Sequence, residues 1–359
     1  VYLAARREGT FERLYTQQRL KKDYRDLPAL RAAFLEQARR CQLLRHPNAV
    51  SVLDFGEDEI GAFVISEYID GVSMGELLAS AARGPLPVDV CLRIARDVAE
   101  ALHAAHELED EHGVALGLVH GDVSAQSIVI GFDGGARLAD FGFAAALAPA
   151  ALTAAHSEQT PGAQPDRRAD LFALGVVLWE LLAGKRLVDR TGERVTSRTL
   201  LDEAAARLAA SRNEAPSELV ELVSRMLAAE PAARPATAKD VALALETILT
   251  QLGAGSAPTE TATLLAERFA TLREERRIQL SEARLLASMP PERPRPVSIR
   301  PDPALSTKVR QRQLIALAAL VVLMVALLAK LADRFTHPTK PSTAAHATAA
   351  PNARDVHKP

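Results

Sequence analysis

His120-Gly121-Asp122-Val123-Ser124-Ala125-Gln126-Ser127, followed by Ala139-Asp140-Phe141-Gly142, is the stretch from which the rest of the chain is read. It sets two carboxylates, Asp122 and Asp140, eighteen positions apart. A carboxylate at Asp122 accepts or orients a hydroxyl proton, and one at Asp140 offers a hard oxygen ligand to Mg²⁺. Phosphoryl transfer uses both. Each also has a plain structural use, since Asp122 can bond its own loop and Asp-Phe-Gly is good turn chemistry.

Working outward, the residues before this stretch change character once. Val1 to Ala5 and Tyr15 to Leu20 read as short strands around a turn at Glu8-Gly9-Thr10, with further strands at Val50 to Phe55 and Ala62 to Glu67. Pro28 to Leu44 reads as a helix with Phe34, Ala38 and Cys41 on one face. From Val88 the pattern is helical, with Val90, Ile94, Val98, Leu102 and Ala105 in register. Leu171 to Ala183 is apolar nearly all round except Glu180, which makes it a buried central helix stopped by Gly184. Leu219 to Leu227 and Ala238 to Leu249 continue the helical part, and Gly253-Ala254-Gly255-Ser256 closes it. Thr263 to Leu286 is a charged helix with Leu265, Phe269 and Leu272 on one face, expected to be solvated or to meet a second copy of the chain.

The 359 residues are 48% apolar, ample for a large core, and 43 Lys+Arg against 45 Asp+Glu leave a net charge of −2. That balance argues against nucleic acid as a partner. Cys41 and Cys91 sit inside helical segments without ligand spacing, which points to a reducing compartment and away from a disulfide or zinc framework. Leu314 to Ala332 is nineteen residues with a charge only at Lys330, and at about 1.5 Å per residue it covers roughly 28 Å, a bilayer core. Arg300, Lys308, Arg310 and Arg312 before it, against Lys330, Arg334 and Lys340 after it, favour an inward N-terminal side. Thr336 to Pro359, rich in Pro, Thr and Ala, reads as a disordered external tail.

With two lobes joined near Glu67 and both carboxylates in the second, the chain resembles the bacterial Hanks-type Ser/Thr protein kinases over Val1 to Leu249. The resemblance rests on ordered matches: His46-Pro47-Asn48, the hinge-like Ser66-Glu67-Tyr68-Ile69, the 120–127 and 139–142 stretches, DLFALGVVLWELL at 170–182 and Arg234-Pro235. It implies an α+β, bilobal fold with a small β-rich lobe (1–66) and a larger helical lobe (67–250). A juxtamembrane helix and Pro-rich linker (251–313), a single transmembrane helix (314–332) and a tail (333–359) follow. It further implies ATP and Mg²⁺ as ligands, with Asp122 as base and Asp140, seconded weakly by Ser127, as metal ligands. The hinge backbone at Glu67 and Ile69, with Val1, Thr16 and Val129, would pack the adenine. His120 and Phe141 would stack with Cys41, Glu158 would pair with Arg234, and Asp170 would brace the catalytic loop.

Departures from that pattern are expected to govern activity. By the resemblance, Gln18 stands where the family has its phosphate-binding lysine, and Gln37 where it has the glutamate that holds that lysine. The two amides can hydrogen-bond across the gap without stranding a buried ion. Arg19 points to the other face of the strand, and Lys22, four residues on at about 3.3 Å each, lies roughly 13 Å away. Ser127 replaces the metal-binding asparagine, Ser124 a lysine, and Gly121 the arginine that receives an activation-loop phosphate. The alanine-rich run 144–155 has few polar groups to shape a substrate platform. The match begins at the family's second strand, so its glycine-rich loop is not within these residues and Val1 reads as the start of a fragment or as a misplaced start. The expectation is a single-pass inner-membrane pseudokinase, its kinase-like part facing cytosolic signalling partners, with an active Ser/Thr kinase as the alternative and a homodimer as a further option.

Overall fold

A computed structural model of the chain describes residues 1–8, 11–147, 166–187, 198–255 and 257–288. The chain divides into two compact units, Val1–Ser281 and Glu282–Pro359. Of the second, only the end of the last described helix, up to Ser288, lies among the described residues. Glu158, the expected span 314–332 and the tail lie outside them. No described helix is long and apolar enough to cross a membrane.

The small lobe is an antiparallel sheet of β1 (Tyr2–Glu8), β2 (Phe11–Arg19), β3 (Val52–Asp58) and β4 (Gly61–Glu67) in the order β1-β2-β4-β3. Gln18 on β2 stands opposite Val64 on β4. After α1 (Lys22–Arg25), helix α2 (Pro28–Leu43) begins with proline in its first turn, where no intrahelical N–H is needed. Phe34, Ala38 and Cys41 are its buried residues, the face read from their spacing. β2 ends at Arg19, so Lys22 does not continue that strand as expected but starts α1.

The hinge residues Tyr68–Asp70 lead into β5 (Gly71–Ser73) and α3 (Met74–Ala79). A capping box starts α3: Ser73 Oγ accepts from Glu76 N, and the Glu76 carboxylate accepts from Ser73 N. The large lobe then stacks α4 (Val88–His106), a three-stranded sheet of β5, β6 (Ile128–Gly131) and β7 (Ala136–Leu138), and the short α5 (Phe143–Leu147). Helix α6 (Arg167–Ala183) runs through the core with ten buried residues. Asp166 caps its start by accepting from Arg168 N, and Gly184 ends it in the left-handed conformation at φ 66°. Helices α7 (Arg198–Ser211), α8 (Ser217–Met226) and α9 (Ala238–Gln251) complete the lobe, α9 opened by a Thr237/Asp240 capping box.

The charged segment after Gly255 departs from its expected role. It forms α10 (Thr259–Arg268) and α11 (Ala270–Ser288), and Thr261, Leu265 and Phe269 are buried in the core of the large lobe. Arg93, only 2% exposed, reaches it from α4 through the Gly255 carbonyl (3.0 and 2.8 Å), with Asp89 at 2.8 Å and Glu260 at 3.2 Å balancing its charge. Arg268 donates to the carbonyls of Gly84 and Pro85 (3.1 Å each). Arg273 lies 4.5 Å over the Phe132 ring, and Arg276 donates to the Gly71 carbonyl and to Glu76 (2.6 Å). The apolar face expected to meet solvent or another chain is thus covered in cis, and the first compact unit extends past residue 250 to Ser281.

Candidate active site

The cleft between the lobes is lined from above by Val1, Thr16, Gln18, Cys41, Leu44, Val50 and Val52. The hinge adds Ser66, Glu67, Tyr68 and Ile69, and the floor is Gln126, Val129, Ala139, Asp140, Phe141 and Phe143. Among the described lining residues none is lysine or arginine. Thr16 Oγ1 donates to the carbonyls of Ser66 (3.4 Å) and Glu67 (3.3 Å), tying β2 to the hinge. The Glu67 carboxylate accepts from Ser51 N at 2.7 Å and its backbone N–H donates to the Ser51 carbonyl at 3.1 Å, which ties the hinge to the start of β3.

Asp170 organises the catalytic loop from α6. Its carboxylate, 1% exposed, accepts from His120 N and Gly121 N at 2.8 Å each and meets His106 Nε2 at 2.9 Å. Charge-assisted bonds to two successive backbone N–H groups fix the turn that presents Asp122. Gly121 takes φ +76°, a region that L side chains rarely adopt. His120 is fully buried, with Asp122 N donating to its Nδ1 (3.2 Å) and its Nε2 2.7 Å from the Ala139 carbonyl. Nδ1 accepts, so the ring proton sits on Nε2, and both nitrogens are engaged in structure rather than proton transfer. The ring meets Phe141 edge-on at 4.9 Å, and Cys41 Sγ donates to the Phe141 carbonyl at 3.1 Å, so the three come together as expected.

Asp122 and Asp140 are both solvent-exposed. Asp140 is the sole described non-glycine residue with positive φ, at 65°. Such backbone strain is held at functional turns by surrounding structure. Protein encloses much of its carboxylate even though one flank stays open, and this desolvation raises its pKa, with the Asp122 charge adding to the rise. Ser127 is buried, its hydroxyl donating to the carbonyls of Asp122 (3.2 Å) and Ser124 (3.1 Å) and accepting from Ser124 N (3.0 Å). It serves the loop and does not line the cleft, which corrects its reading as a metal ligand. No group of three His, Cys, Asp or Glu gathers among the described residues. Mg²⁺ is commonly held by one or two carboxylates plus water and phosphate, so the donor set fits one cation, on Asp140.

Gln37 is not in the cleft lining, and its expected partner is not its actual one. Its Nε2 donates to the Phe141 carbonyl at 2.9 Å and lies 3.6 Å from Cys41 Sγ, instead of bonding across to Gln18. Arg19 forms a two-pronged pair with Asp58, 2.7 Å at each prong, and stacks over Phe63, so it is committed outside the cleft. Asp58 is held at about 2 by that guanidinium. Arg234 donates to the carbonyls of Ala228 (2.8 Å), Ala229 (3.0 Å) and Arg168 (3.3 Å) and lies over the Phe172 ring; its expected partner Glu158 is outside the described residues.

Sequence reasoning assigned no cleft role to Leu44, Val50, Val52, Gln126 or Phe143. Gln126 precedes Ser127 on the same loop and turns toward the cleft, while Phe143 packs on Phe34 at 5.2 Å and closes the rear. Phe143 had a signal, an aromatic directly after the Asp-Phe-Gly turn facing the apolar stripe of α2. The alternating in-and-out pattern of the 124–127 loop is set by tertiary contacts and left none.

A sheet lobe, a helical lobe, a hinge and a braced loop that sets one carboxylate near another define the protein-kinase class of fold. The chain belongs to the protein kinase domain family, whose model matches residues 14–244. It is similar to the tyrosine-protein kinase MasK of Myxococcus xanthus, 31% identical over 78% of this chain and 45% of the relative. The serine/threonine-protein kinase PrkC of Bacillus subtilis is 29% identical over 64% of this chain and 35% of its own length. PknL of Mycobacterium tuberculosis is 33% identical over 61% and 55%. The chain therefore spans about a third to just over half of these relatives. The crystal structure of the Mycobacterium tuberculosis PknI kinase domain matches with a TM-score of 0.52 and 27% identity, over 68% of this chain and 89% of that one.

Proposed function

We propose that the chain is a kinase-fold signalling module with little or no phosphotransfer, anchored in the inner membrane by residues 314–332 and presenting its kinase-shaped surface to cytosolic partner proteins. The observation that carries this reading is the charge of the cleft: Gln18 faces it where a cation would meet phosphates, and none of its described lining residues is lysine or arginine. Loss of one preorganised electrostatic group commonly lowers a rate by about 10²–10³. Here Ser127 is turned into its loop and Gln37 is bonded to Phe141, so two further groups the chemistry relies on are diverted. The adenine side of the cleft, with the hinge backbone, Ile69 and Val129, is retained, which supports nucleotide binding without turnover. Asp140 is the residue that would hold Mg²⁺, which would supply charge neutralisation at the phosphates.

A second reading, an active kinase acting on protein hydroxyls, is favoured by the exposure of both Asp122 and Asp140. Phosphotransfer from labelled ATP with Mg²⁺ by the full chain separates the two. The expected result is incorporation no greater than that of Asp122→Asn. Incorporation well above that variant would establish the enzyme.

A further inference from the structure

The Phe141 carbonyl, at the centre of the Asp140–Gly142 turn, meets two donors one helical turn apart on α2. Gln37 Nε2 lies 2.9 Å from it and Cys41 Sγ 3.1 Å. A carbonyl oxygen has two lone pairs, and residues i and i+4 of a helix share one face, so one helix can fill both. The turn is shaped for this approach. Gly142 takes φ +70°, and a Cβ there would collide with the Gln37 amide nitrogen. Burial pushes the Cys41 thiol up to about 12, so it stays protonated and remains a donor at physiological pH.

From this geometry we infer that Gln37, seconded by Cys41, is a positioning residue that suspends the Asp140–Gly142 turn from α2 by neutral hydrogen bonds to the Phe141 carbonyl. A glutamate at position 37 cannot serve here, because an ionised carboxylate only accepts. It would set its oxygens against the carbonyl beside the Asp140 carboxylate. The glutamine is thus suited to a contact of its own, beyond being the lost half of an ion pair. The consequence is that α2 and the turn stay joined without a lysine, a nucleotide phosphate or a phosphorylated loop to draw them together. This deepens the reading of the same site as a non-catalytic module. It is tested without any activity measurement, so its failure and the failure of that reading are distinguishable.

The reporter is Cys41, because it lines the cleft and touches the same carbonyl; the chain's other cysteine, Cys91, is fully buried in the helical lobe. The full chain and its Gln37→Glu and Gln37→Met variants, both near the native side chain in size, are alkylated with iodoacetamide and each cysteine is quantified by peptide mass. The expected result is Cys41 alkylation at least ten times faster in both variants, with Cys91 unchanged. Cys41 protection equal to native in the variants would overturn the inference. A parallel rise at Cys91 would do so as well, because it would mark general destabilisation. In the native chain, hydrogen exchange of the side-chain amides gives a second measure that needs no variant. The Gln37 amide is expected to exchange at least ten times slower than that of Gln18, and equal rates would refute the contact.

Discussion

Asp140 is enclosed enough that ionising it is unfavourable, yet its turn and its exposed flank keep it facing the cleft. Its folded pKa lies above the unfolded one, so the folded chain binds that proton more tightly. The resulting stabilisation is fully present below the unfolded value and is lost as pH rises through the folded value. Asparagine tolerates the left-handed backbone at this position and carries no charge at any pH. Asp140→Asn is therefore expected to melt higher than the native chain at neutral pH, with the gap closing as the solution is acidified below the ordinary carboxylate range. Melting temperature followed against pH checks this, and a constant gap would show that the charge of Asp140 is not its source. At this scale the chemistry of Asp122 and Asp140 narrowed what each could do, and the brace from Asp170 followed from the family resemblance. It was misleading for Ser127 and Gln37, whose polar atoms found partners that only the folded loop supplies.

The helix pair α10–α11 shows how an element's fate depends on what lies opposite it. Its apolar positions, Leu265, Phe269 and Leu272, were legible at helical spacing, but a stripe of that width serves equally for packing in cis, for dimer contact or for a partly wetted helix. The deciding features are elsewhere. Gly134, at φ +87° on the turn between β6 and β7, lets the Pro258 carbonyl come close, and Arg93 receives the Gly255 carbonyl from α4. A Cβ at 134 would collide with that carbonyl and would also strain the turn. Gly134→Ala is expected to cost about 1–3 kcal/mol. Hydrogen exchange should quicken over 259–281 while α4 and α6 keep their protection. Unchanged exchange across the helix pair would show that its docking does not rely on the close approach. Because Arg276 meets Gly71 and Arg273 stacks on Phe132, the pair reaches residues just beyond the hinge.

For the whole molecule, the architecture survives the loss of charged groups because its tethers are of another kind. Asp170 holds the catalytic loop through backbone N–H groups, Thr16 holds the hinge through its carbonyls, and Gln37 and Cys41 hold the Asp140–Gly142 turn through one more. None of these needs a phosphate. Restoring the missing groups together, in Gln18→Lys/Gln37→Glu/Ser127→Asn, is expected to raise phosphotransfer from labelled ATP by at least about 10² over the native chain. No gain in a variant that still melts cooperatively would place the deficit outside these three positions.

Local chemistry determined the elements: periodic apolar faces and Gly184 after α6 act within a few positions along the chain, so the helices and strands of the two lobes could be read directly, whereas the brace from Asp170 came from the family resemblance. What only the tertiary structure decided is which polar atoms meet across the fold. Gln37 and Phe141 are 104 residues apart, and Arg276 and Glu76 are 200 apart. A side chain with several possible partners takes the one that packing brings within about 3 Å, and no pattern along the chain encodes that distance.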